Sequence, residues 1–338
     1  MIQVSAVLIT RNQAWNVGRL VKSVLSKASP FLSVEVTLVD SASTDATVSV
    51  ACNYPINVIV LNAEQRLTAA AGRYVGYQNG SAGSRFVLFL DGDMELHDGW
   101  LEKALDVMID DPAVAVVTGT VIDCPREAAR GGFSFVPSHP AKLEDVKHCG
   151  GAALYRRSVL EEVGTFNPHL ISDEEPELCI RIREAGYRVV QLDAPIALHY
   201  TDPADHLGTL FARARRGLYL GAGQNLRCHL GDEMFMPYLR ERGFGLAPAG
   251  GLLAGAACVV LARRMRDWRW FGGWLALLAG VVGADALRKR SLYRAIYTMV
   301  LRLLIMDGTI RGFLMPPGSD SIKFNVVKRV DHPMREAL

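Results

Sequence analysis

The chain has 338 residues, which is long enough to bury a substantial core and to form more than one folded unit. Half of the residues are apolar and the formal net charge is only +2, so no overall electric field points to a nucleic-acid partner. The six cysteines show neither a Cys-x-x-Cys pair nor metal-ligand spacing, which is typical of reduced thiols in a cytosolic protein.

Strands and helices are predicted to alternate in the first part of the chain. The apolar run from Val4 to Ile9 is too short for a signal peptide and lacks a basic leader, so we interpret it as the first strand. Ser43 is predicted to cap the helix that runs through Ala46 to Ala51. The alternation predicts βαβ units and an α/β fold with a mostly parallel sheet. The predicted strands cover 4–9, 34–39, 56–61 and 86–90, and the predicted helices cover 17–25, 46–51 and 68–79.

Carboxylates follow two of these strands. Asp40 ends the second strand, and Asp91 and Asp93 flank Gly92 after the fourth. Ligands of open α/β sheets bind beyond the carboxyl ends of the strands, and Gly92 leaves room for a phosphate or a metal to approach the backbone. Oxygen ligands of this kind suit Mg²⁺ or Mn²⁺, which in turn bind the diphosphate of a nucleotide. A P-loop and a Gly-x-Gly-x-x-Gly turn after the first strand are both absent from the sequence, so we predict a metal–nucleotide site of another type.

Several segments, in the same order, resemble the nucleotide-binding half of the family 2 glycosyltransferases with the Rossmann-like GT-A fold, in particular bacterial membrane-associated members. The resemblance covers about residues 3–205, and one departure is Tyr74, which stands where the family usually has Asn. The matching segments are Val4–Asn12, Asp40–Asp45, Ala71–Gly76, Phe89–Asp93 and Gly150–Arg157, the last followed by Val163–Phe166.

The resemblance implies a site for a UDP-, GDP- or dTDP-sugar donor. In this interpretation Asp40 holds the nucleobase, while Asp91 and Asp93 bind the ribose and the metal. Arg73 pairs with the diphosphate or with Asp91. The segment with Gly150 and Gly151 lines the donor and acceptor pocket. The implied donor-binding residues are Thr10, Asn12, Asp40, Arg73, Asp91, Gly92, Asp93, Gly150 and Gly151.

The resemblance also implies a general base and a further metal ligand. The acidic segment Ser172–Cys179 opens a predicted helix, and in the family the second member of a Glu-Asp pair at this point deprotonates the acceptor hydroxyl. This register makes Glu175 the base, with Glu174 and Asp173 as alternatives. His199 follows the predicted strands 187–192 and 196–198 and would join Asp93 and Asp91 in binding Mn²⁺ or Mg²⁺.

The composition changes after His199. A basic amphipathic pattern at 210–220 carries Arg213, Arg215 and Arg216 and suits an anionic membrane surface. Residues 244–262 and 270–284 lack charge, and the turn 263–269 between them holds four arginines. Translocating that turn would violate the positive-inside rule, so we favour a hairpin embedded from the cytosolic side over two full crossings; a buried core hairpin is the alternative. A third amphipathic stretch is predicted at 292–305.

We therefore predict a catalytic domain at 1–205, basic linking helices at 206–243, a membrane-associated helical region at 244–315 and an irregular tail at 316–338. The expected activity is inverting, metal-dependent sugar transfer to a lipid-linked or polysaccharide acceptor. The expected place is the cytosolic face of the plasma membrane, with phospholipid as a partner. A processive polysaccharide synthase is one alternative, for which the Gln-x-x-Arg-Trp motif has Cys228 in place of Trp after Gln224. A non-catalytic nucleotide-sugar-binding protein is another.

Overall fold

The computed structural model of the chain describes residues 2–27, 29, 32–126, 142–201, 206–318 and 324–331. These residues form two compact units, which are described separately. The sheet unit comprises Met1–Leu170, Glu174–Pro203 and Gly318–Leu338, and the helical unit comprises Ile171–Asp173 and Ala204–Pro317. The short segment before Glu174 therefore groups with helices that come much later in the chain.

Ten strands within the described residues of the sheet unit form one mixed sheet. The order across the sheet is β10-β3-β2-β1-β4-β8-β6-β9-β5, and β7 pairs with β9 at one side. The strands are β1 Ile2–Thr10, β2 Leu32–Asp40, β3 Asn57–Leu61, β4 Phe86–Asp91, β5 Met94–Leu96, β6 Val114–Cys124, β7 Leu143–Asp145, β8 Ala153–Arg156, β9 Arg188–Tyr200 and β10 Val326–Val330.

The parallel arrangement predicted for the first part of the chain is confirmed. Strands β3, β2, β1 and β4 are all parallel neighbours. Their register pairs Thr10 with Asp40 and Ile9 with Asp91, so the polar ends of three strands lie together at one edge. The two strands predicted at 187–192 and 196–198 are instead one long strand, β9, whose ladder with β6 is interrupted by irregularities between Gly119 and Val121.

Helices cover both faces of this sheet, as the alternation of side chains along β4 shows. Phe86, Leu88 and Leu90 enter one buried cluster, and Val87 and Phe89 enter another. Successive side chains of a strand point to opposite faces, so the buried run of β4 requires cover on each side. The helices of this unit are α1 Val17–Leu25, α2 Thr47–Ala51, α3 Ala69–Asn79, α4 Trp100–Asp110, α5 Arg157–Val163 and α6 Glu174–Glu184.

The predicted cap of α2 is wrong. The helix begins at Thr47, and its N-cap residue is Ala46 without a side-chain cap. Ser43 lies earlier, where its backbone N–H donates to Asp40 Oδ2 at 2.7 Å. The side chain of Asp45 accepts from the Thr47 N–H at 2.9 Å. Ser43 therefore belongs to the loop after β2, where it hydrogen-bonds to Asp40. The turn formed by Asp45 follows it, so the helix begins only at Thr47.

The tail was expected to be irregular, and this is also wrong for part of it. Val326–Val330 forms β10, which pairs antiparallel with β3 and closes that edge of the sheet. Phe324, just before it, packs against Tyr74. The β-branched residues of this short segment suit a strand, and the partner that stabilises it lies far away in the sequence. Residues 319–323 and 332–338 of the predicted tail, and 202–205 at the end of the predicted catalytic domain, lie outside the described residues.

The helical unit contains long helices that pack through small residues. In α8 and α12 the backbones approach so closely that a Cβ at Gly223 would lie 1.9 Å from the Thr309 carbonyl oxygen, and one at Gly312 would lie 2.0 Å from the Leu220 carbonyl oxygen. The helices of this unit are α7 Leu207–Arg215, α8 Gly221–Cys228, α9 Phe235–Arg242, α10 Ala247–Met265, α11 Arg269–Lys289 and α12 Leu292–Phe313.

Two of the helical segments in the described part of the chain are long and apolar enough to cross a membrane. They are Phe235–Met265 and Arg269–Lys289. No side chain of α11 is buried, although every residue of this helix is described. Trp274 on α11 donates its indole N–H to the Gly251 carbonyl on α10 at 3.0 Å, so the two helices form a hairpin. The alternative of a buried core hairpin is therefore wrong.

The close approach of α8 and α12 gives a first prediction. Gly223→Ala should lower the free energy of unfolding of the helical unit by roughly 1–3 kcal/mol, because the new Cβ meets backbone rather than a flexible side chain. Gly280→Ala on α11 is the matched control, since nothing lies within 4 Å of its Cβ position. Thermal unfolding of both variants in detergent, followed by circular dichroism, measures the difference. Equal stability of the two variants would contradict the packing described here.

Candidate active site

The first part of the site is a loop pair at the ends of β1 and β2. Asp40 is fully buried and accepts hydrogen bonds from the Thr10 hydroxyl at 3.2 Å and from the Ser43 hydroxyl. Asn12 has a positive φ of 56° and joins the loops in both directions: its N–H donates to Ser43 Oγ at 2.7 Å, and its Oδ1 accepts from the Thr44 N–H at 2.9 Å. Thr10, Asn12 and Asp40 are thus brought together, as the sequence predicted.

The turn after β4 holds Asp91, Gly92 and Asp93. A Cβ at Gly92 would lie 3.0 Å from the Ile9 carbonyl oxygen, so a larger residue would require the neighbouring strand end to shift. Asn16, which is fully buried, donates its side-chain N–H groups to the carbonyls of Gly92 at 3.1 Å and Met94 at 2.9 Å. Sequence reasoning missed Asn16, because an Asn just before a helix is ordinarily interpreted as a cap.

Arg73 is the centre of the site. Its side chain extends from α3, is 1% exposed, and contacts three carboxylates. One guanidinium nitrogen lies 2.8 Å from Asp91 Oδ1 and 2.9 Å from Glu175 Oε1, and the other lies 2.6 Å from Glu174 Oε1. We call these four residues the Arg73 cluster. It unites the end of β4 with the first turn of α6, two segments far apart in the sequence.

Glycine and aromatic residues enclose the Arg73 cluster. A Cβ at Gly151 would lie 2.1 Å from Asp91 Oδ2 and 3.0 Å from the Arg73 guanidinium, so only glycine fits at this position. Gly150, beside it, has open space at the corresponding position. The ring of Phe166 lies 5.5 Å from the Arg73 guanidinium carbon and supplies a cation–π contact that the sequence did not predict.

One guanidinium cannot neutralise three carboxylates, and the pKa values reflect this. Burial first, and then the neighbouring Glu175, raise the pKa of Glu174 to about 7, although Arg73 opposes the shift. Desolvation likewise raises the pKa of Asp91 to about 6 against the effect of Arg73. Burial by itself would lower the pKa of Arg73, but the three carboxylates outweigh it and the pKa is raised. Gathering three carboxylates around one cation therefore favours the retention of a proton within the cluster.

Asp93 faces away from this cluster and towards His199. The imidazole Nε2 lies 3.5 Å from Asp93 Oδ2, and Nδ1 lies 2.7 Å from Asp123 Oδ1. The hydrogen bonds that the protonated ring donates, to Asp93 first and then to Asp123, raise the pKa of His199 to about 9, although burial opposes the shift. Asp91, expected as a third ligand, is bonded to Arg73 instead. Asp123 was missed because nothing in the sequence indicates which strand lies beside His199.

Asp93 and His199 face each other and supply only part of the ligand set that a hard divalent cation needs. Among the residues that the structure describes, no group of three or more His, Cys, Asp or Glu side chains is arranged to hold a metal ion. Mg²⁺ commonly takes one or two protein ligands and completes its shell with water and substrate phosphates. The carboxylate of Asp93 and the imidazole of His199 match such an incomplete set, which would depend on a bound diphosphate.

Asp173, the alternative base, is held within the helical unit. It has a positive φ of 66° and accepts hydrogen bonds from the Tyr238 hydroxyl and the Arg242 guanidinium. Its backbone carbonyl accepts from Asn225 Nδ2 at 3.3 Å. Both carboxylate oxygens are thus engaged by fixed donors, whereas Glu174 and Glu175 belong to the Arg73 cluster of the sheet unit.

Comparison with known proteins finds relatives among the glycosyltransferases. The model of the family described as "Glycosyl transferase family 2" matches residues 5–164. The chain is 28% identical to glycosyltransferase AglE of Haloferax volcanii over 229 residues, which cover 65% of this chain and 72% of that one. It is 25% identical to the succinoglycan biosynthesis protein ExoA of Rhizobium meliloti over 323 residues, or 90% and 92% of the two chains. The match to a pre-mycofactocin glycosyltransferase of Mycobacterium tuberculosis, at 29% identity, spans 68% of this chain but only 48% of that protein.

A solved structure supports the same fold. The mannosyltransferase PcManGT of Pyrobaculum calidifontis superposes with a TM-score of 0.59 at 20% identity, covering 92% of this chain and 87% of that one. The matched family region contains Asp40, Arg73, Asp91 and Asp93, which meet at the carboxyl edge of the parallel strands. The match of residues 5–164 to the family 2 glycosyltransferases, together with these relatives and this fold, identifies the protein as a glycosyltransferase with the GT-A fold.

Proposed function

We propose that the enzyme is an inverting, divalent-metal-dependent transferase that moves a sugar from a nucleotide-sugar donor to a lipid-linked or polysaccharide acceptor at the cytosolic face of the membrane. The observation that carries this proposal is the Arg73 cluster. It holds Glu175 beside the strand-end Asp91, so that a base and a donor-binding carboxylate are fixed in one rigid arrangement.

The donor would bind along the carboxyl edge of the parallel strands. Thr10, Asn12 and Asp40 would supply polar groups for the nucleoside, and the open space at Gly150, beside Gly151, would receive the sugar end. PcManGT, which shares the fold, was solved with GDP-Man and Mn²⁺. For this chain UDP-, GDP- and dTDP-sugars are all candidate donors.

Glu175 is best suited to act as the general base. Its side chain is 16% exposed, whereas that of Glu174 is 5% exposed and pairs with Arg73 through Oε1. A base must reach the hydroxyl that it deprotonates, so the more accessible carboxylate is favoured. Asp173 is less suitable, since donors from α9 occupy both of its oxygens. Arg73 would orient Glu175 through their contact of 2.9 Å.

The metal would be held by Asp93 and His199. When bound, a divalent cation stabilises the negative charge that develops on the departing nucleoside diphosphate. Asp93 would provide a charged oxygen and His199 its Nε2, while the peptide carbonyls fixed by Asn16 keep the Asp91–Asp93 turn in place. Asp91, held by Arg73, would bind the donor rather than complete the metal shell.

The hairpin of α10 and α11 supports attachment to a membrane. At about 1.5 Å per residue, the 21 residues of α11 reach roughly 30 Å, the thickness of the apolar bilayer core. The four arginines between 263 and 269 oppose translocation of the turn, because each uncompensated arginine is costly inside a bilayer. We therefore retain a hairpin that does not cross the bilayer and lies at its cytosolic interface, with the arginines of the turn near the headgroups.

The segment 224–228, which resembles the processive-synthase motif, packs against other parts of the helical unit. Gln224 is buried and accepts from the Ile171 N–H at 3.0 Å, and Arg227 lies over the ring of Phe313. All of these residues belong to the helical unit. These contacts indicate that the segment 224–228 has a packing role, so we keep a non-processive transferase as the proposal.

Replacing the base tests the mechanism. Glu175→Gln preserves the shape of the side chain but cannot accept the proton, so kcat should fall by roughly 10²-fold or more while donor binding is retained. Glu174→Gln is the comparison and should lose much less activity, since its amide oxygen can still accept the hydrogen bond from Arg73. Steady-state kinetics with a radiolabelled nucleotide sugar and membranes measure both variants. If only Glu174→Gln is inactive, the base is Glu174.

The metal assignment predicts dependence on a cation. Asp93→Ala should abolish transfer and should remove Mn²⁺-dependent tightening of nucleotide binding, because the charged oxygen is lost. Circular dichroism should show an unchanged fold, since the side chains of Asp93 and of its partner His199 are both partly exposed and their contact of 3.5 Å contributes little to folding. Titration calorimetry with UDP and with GDP, with and without Mn²⁺, gives the binding change. Full activity of the unaltered enzyme in excess EDTA would refute the metal.

The membrane topology is tested by labelling. A cysteine introduced as Arg266→Cys should react with a membrane-impermeant maleimide only after cells are opened, because the turn stays on the cytosolic side. The unaltered chain provides the background from its own six cysteines. Labelling of the variant in intact cells would show instead that α10 and α11 cross the bilayer.

A further inference from the structure

Asp123 lies beside His199 because of the strand register. It is near the end of β6, and the parallel ladder between β6 and β9 pairs Asp123 with His199. Paired residues of neighbouring strands project from the same face of a sheet, so the two side chains meet. The resulting contact, 2.7 Å between Asp123 Oδ1 and His199 Nδ1, is a hydrogen bond of good length.

This contact contributes little to the stability of the fold. The Asp123 side chain is 72% exposed, and exposed ion pairs contribute only about 0–1 kcal/mol to folding. The apolar residues of this part of the sheet, Cys124, Leu198 and Tyr200, form their own buried cluster without it. A role in orienting the imidazole therefore explains the contact better than a role in holding the strands together.

The chemistry of the pair fixes the form of the ring. An ionised carboxylate can only accept a hydrogen bond, so the imidazole must carry a proton on Nδ1. In the neutral ring the lone pair then lies on Nε2, the nitrogen that faces Asp93 at 3.5 Å. This is the tautomer and the orientation in which Nε2 can bind a cation together with Asp93.

We propose that Asp123 is a positioning residue that holds His199 in the metal-binding tautomer and orientation. The inference rests on the proposed role of Asp93 and His199 as metal ligands. Removing such an outer partner of a ligating histidine typically weakens metal binding by about 10–100-fold. Asp123 itself does not touch the cation or the substrate.

The test is a double-mutant cycle on Mn²⁺ affinity. The Kd for Mn²⁺ of the full chain in detergent is measured with UDP and, separately, with GDP present, because a diphosphate would complete the ligand set. The electron paramagnetic resonance signal of the free ion gives the Kd, and solutions of Mn²⁺ and nucleotide without protein give the background. Asp123→Ala should raise Kd about tenfold, at the lower end of the range for outer partners. Asp123→Asn, which keeps an oxygen that can accept from Nδ1, should raise it much less. In a His199→Ala background, Asp123→Ala should have no further effect, because its partner is already gone.

Two controls exclude a general effect of removing a negative charge and an effect of altered folding. Asp106→Ala removes an exposed carboxylate of α4 and should leave Kd unchanged, and all variants should share one melting temperature. The proposal is overturned if Asp123→Ala leaves Kd unchanged, or if its effect persists at full size without His199. A His199→Ala variant with unaltered Mn²⁺ affinity would instead refute the metal ligands of the proposed function, which is a distinct result.

Discussion

The buried guanidinium of Arg73 is the interaction on which the site depends. Removing one partner of a buried ion pair typically costs about 3–5 kcal/mol, because a desolvated charge is left without compensation. Here one cation is shared by Asp91, Glu174 and Glu175, so a loss would affect the end of β4 and the first turn of α6 at once. The raised pKa values of Asp91 and Glu174 are the electrostatic consequence of gathering three carboxylates around one cation.

The backbone around this cation is fitted closely to it. Gly151 has no room for a Cβ beside Asp91, and Asn16 fixes the turn after Asp91 through two carbonyls. At the start of α6, the carboxylates of Glu174 and Glu175 lie where the helix dipole stabilises negative charge. Rigid placement of this kind is what a transferase needs, because its polar groups must already be aimed at charge that appears only during the reaction.

The helical unit follows a different physical rule. Its inner helices α8 and α12 pack backbone to backbone through glycines, whereas α10 and α11 keep large apolar side chains on the outside. Exposed apolar helices of this length are unfavourable in water, so a lipid environment accounts for them better than solvent does. The arginines of the turn after α10 limit how such a hairpin can enter a bilayer.

The sequence by itself determined the parallel strands and the residues at their ends. Continuous apolar runs that end at turn and charge signals need little context, so β1, β2 and β4 were predictable, as was the position of Asp40 and Asp91 at the same edge of the sheet. The resemblance to a family added candidate roles for Arg73 and Glu175. Only the tertiary structure decided which carboxylates share Arg73, that Asp123 lies beside His199, and that 326–330 is a strand. These contacts join residues up to hundreds of positions apart, and strand order and register, which no local pattern encodes, bring them together.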